Sequence, residues 1–105
     1  MTGAKEGLAK LTGMTGKEKR DAITKYLDER GDDTLFADGL DDAIVGLGRQ
    51  FDKFLVIYDF DECIRVFIKG GMKENEAVEY FEFNTLGAYV GELTPIFMNL
   101  PNNLE

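Results

Sequence analysis

The sequence predicts a compact α+β domain, with four helices packed on a small two-stranded antiparallel sheet. Its 105 residues are enough for one modest hydrophobic core and too few for two. Most apolar residues recur at the three- and four-residue spacing of helices. Only two short runs, residues 54–58 and 96–100, have the pattern of strands. Because a two-stranded sheet is marginal by itself, we expect the last helix to cover one of its faces.

We assign residues 15–103 to this single domain. Residues 1–14 are rich in Gly, Thr and Lys without a clear period, and we expect a flexible segment there. The final Leu-Glu pair, residues 104–105, is expected to be a cloning scar.

The first helix has a clear beginning and end. Thr15 and Glu18 fit the capping box, in which each side chain accepts a hydrogen bond from the other residue's backbone N–H. Gly31 is expected to end the helix. Its predicted buried residues are Ile23, Tyr26 and Leu27.

A second helix is predicted from Asp38, whose side chain can cap it, to Gly48. Its apolar residues at helical spacing are Leu40, Ala43, Ile44 and Leu47. The continuous apolar run 54–58 follows and is typical of a strand buried on both faces.

Residues 63–68 are β-branched and aromatic, which suits either a strand or a helix. The helix is favoured because Asp61 can cap it and Gly70 and Gly71 can stop it. A last helix is predicted over residues 75–90, with a poor cap at Lys73, and with Gly91 at its end and Pro95 beyond.

The net charge of −8 is unevenly distributed, with +3 on residues 1–25 and −11 on the rest. Such a surface repels phosphate, so we expect no direct nucleic-acid binding. The chain has no apolar run of membrane-spanning length, no apolar leader and a single cysteine, Cys63. We therefore expect a cytoplasmic protein with no membrane partner.

The chain contains no His, Ser or Trp. Ser-His and Cys-His nucleophile pairs, histidine metal sites and the usual general base near neutral pH are thereby excluded. We expect no enzymatic activity, and no catalytic residue, cofactor or metal.

One motif instead suggests an enzymatic activity. Residues 55–63, LVIYDFDEC, are similar to the first motif of haloacid-dehalogenase-type phosphotransferases. This resemblance implies Asp59 as the nucleophile and Asp61 as the acid–base, with Mg²⁺ screening both. Cys63 replaces the usual Thr or Val, and no later acidic pair follows a strand. We therefore favour Asp59 as the end of the strand and Asp61 as a helix cap.

The chain resembles a family of small proteins encoded by bacteriophages and prophages. The segments that carry the resemblance are VIYD, CI, GM, EAVEYFEFN, GAYVGE and TPIF. The resemblance covers about residues 38–97. The family has no assigned activity, so the resemblance implies a viral origin and a cytoplasmic setting, and no catalytic residue. Members commonly have a small capping residue after Gly-Met, where this chain has Lys73.

We expect the protein to bind an unidentified host protein non-covalently, as a modulator or inhibitor. The run 96–100 is apolar and could pair at a sheet edge with a partner or, in a homodimer, with a second copy. An alternative is mimicry of DNA by the acidic residues of 28–42 and 74–82. The candidate interface residues are Tyr58, Tyr89, Phe97, Met98, Glu79 and Glu82.

Overall fold

The computed structural model describes residue 11 and residues 13–99. In this part of the chain the α+β class is confirmed, with three α-helices and a three-stranded mixed sheet. The predicted four helices on two strands are wrong. The elements are α1 (Gly16–Arg30), a 3₁₀ turn (Asp41–Ala43), β1 (Ile44–Gln50), β2 (Lys53–Asp59), α2 (Phe60–Lys69), α3 (Glu74–Phe81), a π-helical turn (Glu82–Leu86) and β3 (Ile96–Met98).

Helix α1 forms as predicted. The Glu18 N–H donates to the Thr15 hydroxyl over 3.2 Å, and the Thr15 N–H donates to the Glu18 carboxylate over 2.9 Å. Gly31 ends the helix in the left-handed conformation, with φ 74°. Ile23 and Leu27 are buried, but Tyr26 stays nearly half exposed, with its ring edge-on to Phe54 of β2.

The second predicted helix is wrong, because this stretch forms the 3₁₀ turn and then β1. β1 pairs antiparallel with β2 through a two-residue turn. Gly46 and Gly48 weaken a helix in this stretch. In the strand, the missing side chain of Gly48 leaves room for Ile57, because a Cβ on Gly48 would lie 2.9 Å from Ile57 Cδ1. Pairing with the strongly apolar β2 therefore outweighs the helical spacing of the apolar residues.

The sheet has the order β1-β2-β3, and β3 is an edge strand. The two predicted strands do pair, but in parallel, with Ile57 opposite Ile96 and Asp59 opposite Met98. The antiparallel prediction is wrong because α2 and α3 carry the chain back before β3 begins, as in a βαβ crossover.

Helix α2 forms and ends at Gly70, as the favoured prediction had it. Its cap is Asp59, not Asp61: the Asp61 N–H donates to Asp59 Oδ1 over 3.2 Å. Asp59, the last residue of β2, becomes the cap because α2 follows β2 without a loop.

The predicted helix over 75–90 is too long, since α3 and the π-helical turn end at Leu86 and Gly87 follows. The chain to β3 is held by Thr94 instead. Its hydroxyl accepts the Val90 N–H over 3.0 Å and donates to the Gly91 carbonyl over 2.6 Å. This local turn competes with a continued helix, which two glycines already weaken.

The core lies on one face of the sheet, which we call the helix-covered face. β2 contributes Phe54, Val56 and Tyr58 to it, and the buried apolar residues of all three helices pack there. The predicted flexible segment 1–14 lies outside the described residues except for 11, 13 and 14, and residues 100–105 lie outside as well. Among the described residues, no helix has the length and apolar character to cross a bilayer.

Candidate functional site

Tyr58 is buried in the core and has no exposed surface, so it cannot contact a partner as predicted. Its hydroxyl accepts the Ala37 N–H over 2.7 Å. Burial raises the pKa of Tyr58 to about 12, because the phenolate would lose its hydration. Tyr58 thus joins the sheet to the connection before the 3₁₀ turn.

Phe97 belongs mainly to the core. Its ring stacks on Tyr58, with centroids 5.4 Å apart, and meets Phe81 edge-on at 5.0 Å. It is only half-buried, however, and its free side lines a surface hollow. Phe97 therefore connects the core with the candidate site.

The four remaining predicted residues all have some accessible surface. Tyr89 is exposed in the connection before β3, and Met98 is half-buried at the end of β3. Glu79 and Glu82 are exposed on α3 and the π-helical turn. Of the predicted interface, the structure thus leaves all but Tyr58 with some accessible surface.

Two adjoining hollows share Tyr80 and Asn84, and we call them together the aromatic groove. Each has a volume of about 380 Å³. The apolar lining of the first is Phe36, Ala37, Phe67, Tyr80, Ala88, Val90, Pro95 and Phe97. The second is lined by Met72, Glu76, Glu79, Tyr80, Phe83 and Asn84.

The groove lies in the most apolar part of the described surface. Ten large apolar residues of the described chain are exposed, and five of them lie between Tyr80 and Val90. Phe83 is 83% exposed. The five residues are Tyr80, Phe83, Leu86, Tyr89 and Val90, of which Tyr80, Phe83 and Val90 line the hollows. A concentration of this kind marks an interaction surface more often than single exposed apolar residues do.

The groove is acidic as well as apolar. Its described lining includes Asp38, Glu76 and Glu79 and no basic residue. No ion pair among the described residues involves Asp38, Glu79 or Glu82. The Glu76 carboxylate accepts the Lys73 N–H over 2.9 Å and so helps to begin α3. The rim can therefore offer carboxylates to a positively charged partner.

Asp59 and Asp61 lie where β2 passes into α2. The Asp59 carboxyl group is buried, and this burial raises its pKa above the ordinary value. Cys63, one turn further on, is buried too, and desolvation raises its pKa to about 12. Among the described residues, no three His, Cys, Asp or Glu side chains come together as a metal site. The geometry shown for Asp59 is that of a helix cap.

No protein-family model, no curated protein and no solved structure matches the chain. The resemblance to small phage-encoded proteins therefore stays a prediction.

Sequence reasoning missed Phe83, Leu86 and Val90 as site residues. The predicted long helix placed Val90 inside an element, whereas it lies in the irregular connection to β3. The available signal was the sequence EYFEF. Its aromatic residues lie at positions 80, 81 and 83, a spacing at which they cannot all face one side of a helix. Phe81 is buried, so Phe83, two positions further, is directed outward.

Proposed function

We propose that this protein acts by non-covalent binding to another protein, as a modulator or inhibitor of a host factor, and that the aromatic groove is its binding site. The observation that supports this most is the concentration of exposed apolar residues around a concave surface. In water such residues gain about 25 cal/mol for each Å² of apolar area that a partner covers.

The lining fits an apolar anchor from the partner. The first hollow has Phe67, Tyr80 and Phe97 as fixed walls, since Phe67 and Tyr80 meet edge-on at 5.1 Å and Phe97 is held by two core rings. Rigid aromatic walls bind an inserted side chain at a low cost in conformational entropy. Phe83 and Tyr89 extend this surface outward.

The carboxylates indicate the charge of the partner. Residues 70–99 carry five acidic residues and only one basic residue, Lys73. A partner segment with basic residues and apolar side chains would complement both the acidic rim and the apolar lining of the groove. A second copy is less suitable, because it would bring another acidic rim against the first one.

DNA mimicry remains the alternative function. It needs carboxylates spaced along an extended face, and binding that depends mainly on charge. Around the groove, exposed aromatic residues interrupt the carboxylates, which favours an apolar contact with a charged rim.

The proposal is tested by capture from bacterial lysate with the immobilised protein and its variants. Phe83→Ser and Val90→Ser remove exposed side chains of the groove, and the captured protein should be reduced in both. Phe51→Ser is the matched control, since Phe51 is an exposed aromatic residue that lines neither hollow. It should capture as much as the unaltered protein.

Raising the salt concentration separates the two functions. A partner bound by the groove should remain captured at moderate salt, while a DNA-mimic complex should be lost steeply. Equal capture by the groove variants and the unaltered protein, or no enriched protein at all, would contradict the proposed site.

A further inference from the structure

The second hollow of the aromatic groove combines carboxylates with aromatic rings. Glu76, Glu79, Tyr80 and Phe83 are spaced i, i+3, i+4 and i+7 along α3 and the π-helical turn, which is the spacing of one helix face. All four line this hollow, and all four are exposed. Two negative charges and two rings are thus available to the same ligand.

The polar side chains of this hollow mainly accept hydrogen bonds. The Glu79 carboxylate has no hydrogen bond or ion pair within the described part of the chain, and Glu76 accepts only the Lys73 N–H there. Asn84 Nδ2 donates to the Tyr80 carbonyl over 3.2 Å, which leaves the amide oxygen as the remaining acceptor. No basic residue belongs to the described lining. These groups therefore suit a ligand with positive charge and several N–H donors.

The aromatic rings favour the same kind of ligand. The face of an aromatic ring is negative and attracts a cation that lies within about 6 Å of the ring centroid. The Tyr80 ring is held in place, because it meets Phe67 of α2 edge-on with the centroids 5.1 Å apart. Phe83 presents its exposed ring at the same hollow. Ring electrostatics and carboxylate charge thus both favour a cation.

We propose that the second hollow binds the guanidinium group of an arginine side chain on the partner protein. A guanidinium is planar and can stack on a ring, while its five N–H donors match the carboxylate and amide oxygens. A lysine ammonium lacks the flat face, and a quaternary ammonium lacks N–H donors. The inference rests on the proposed binding role of the groove, and it adds a charged residue beside the partner's apolar anchor.

A bound guanidinium would also relieve repulsion along α3. Glu79 lies three residues from Glu76 and three from Glu82, and residues at this spacing are neighbours on a helix surface. Positions 75, 76, 82 and 83, one turn to either side of Glu79, hold no basic residue. Like charges at such positions destabilise a helix. The ligand would supply the positive charge that this stretch lacks.

A titration followed by NMR tests the guanidinium site. Adding Nα-acetyl-arginine amide to the isotope-labelled protein should shift the backbone amide resonances of residues 79–84 in a saturable manner. The citrulline derivative has nearly the same shape without the charge, and it should give no saturable shift. The lysine derivative should bind about threefold more weakly or worse, because its ammonium cannot stack on a ring.

Three variants locate the binding. Glu79→Gln should weaken the arginine derivative about threefold, since it removes one charge and almost no volume. Glu74→Gln is the matched control: it removes the same charge from an exposed position of α3 that lines neither hollow, and binding should be unchanged. Phe83→Leu, which keeps an apolar side chain without the ring, should weaken binding too.

Four results would overturn the inference. They are the absence of a saturable shift with the arginine derivative, equal binding of the citrulline or lysine derivative, unchanged binding by Glu79→Gln, and an equal loss in Glu74→Gln. The last result would show that only the overall negative charge attracts the ligand.

Capture from lysate separates this inference from the proposed function. Val90 lines the first hollow only. Loss of the captured protein in both Val90→Ser and Glu79→Gln would support both. If Val90→Ser loses it and Glu79→Gln retains it, the groove binds a protein and the guanidinium inference is wrong. If the arginine derivative binds but the lysate yields no enriched protein, the hollow has the inferred chemistry and the proposed function is wrong.

Discussion

Phe51 has an unfavourable backbone conformation with no compensating packing. It lies in the turn between β1 and β2 with φ 56°, and its side chain is 93% exposed. A left-handed conformation costs a residue with a Cβ about 1–2 kcal/mol, and glycine avoids this cost while losing more chain entropy on folding. We therefore expect Phe51→Gly to raise the free energy of unfolding by about 0.5–1 kcal/mol, measured by urea denaturation.

Phe83→Gly is the matched control for this substitution. Phe83 is similarly exposed but lies in the π-helical turn and is not among the residues with positive φ. Glycine should therefore lower the free energy of unfolding there by about 0.5 kcal/mol. A loss of stability of the same size at both positions would show that Phe51 is not strained.

Asp59 combines a useful cap with an unfavourable charge. Because burial raises its pKa in the folded protein, the native state holds the proton more tightly than the unfolded chain does. The resulting stabilisation is present below the ordinary pKa of 3.8 and is lost as the pH rises through the folded value. At neutral pH the folded protein therefore carries a buried carboxylate at a cost.

We expect Asp59→Asn to be more stable than the unaltered protein near neutral pH. Asparagine keeps an oxygen that can accept the Asp61 N–H, and it carries no charge. The difference in free energy of unfolding should shrink as the pH falls through the folded pKa, and it should be smallest below 3.8, where the aspartate is protonated in both states. Urea denaturation across this pH range measures it, and a variant destabilised only near neutral pH would refute the account.

At the scale of elements, the cap and stop residues were the most reliable sequence signals. Thr15, Glu18 and Gly31 fixed α1, because those contacts are local in sequence. The direction of β3 could not be read in the same way, since it depends on how α2 and α3 return the chain. β1 was mistaken for a helix because the apolar spacing of Leu40–Leu47 fits a helix, while its pairing with β2 is a tertiary contact.

Helix α3 lacks a side-chain cap. Lys73 occupies the N-cap position, and its side chain makes no capping hydrogen bond. Asparagine there can accept a backbone N–H from the first turn, so Lys73→Asn should raise the free energy of unfolding by about 1 kcal/mol. Lys73→Ala removes the same charge without supplying an acceptor and should give little gain. Equal urea denaturation curves for the two variants would contradict this account.

Neighbouring residues of β3 should differ sharply in their importance for stability. Phe97 contacts Tyr58 and Phe81, so Phe97→Ala should lower the free energy of unfolding by about 3 kcal/mol. Ile96 faces the opposite side of β3 from Phe97 and is exposed, so Ile96→Ala should cost less than about 1 kcal/mol. Thermal or urea unfolding checks both. The reverse order would place Phe97 outside the core.

At the scale of the molecule, the composition can be read from the sequence, but the location of a surface cannot. The absence of His and Ser is visible in the composition, and the acidic balance of residues 70–99 can be counted. The aromatic groove could not be foreseen, because its walls come from the connection near Phe36, from Phe67 in α2 and from Phe97 in β3. Tyr58 was assigned to the interface since a sequence does not show which tyrosine the other elements cover.

Site-resolved photo-cross-linking tests the binding role of the aromatic groove most directly. p-Benzoylphenylalanine is placed at position 83, beside the second hollow, or at position 51, in the turn between β1 and β2. Both side chains are strongly exposed, so both reach solvent equally well. Irradiation in bacterial lysate should give a discrete protein adduct from position 83 and none from position 51. No adduct at position 83, or the same adducts from both positions, would contradict a binding role for the groove.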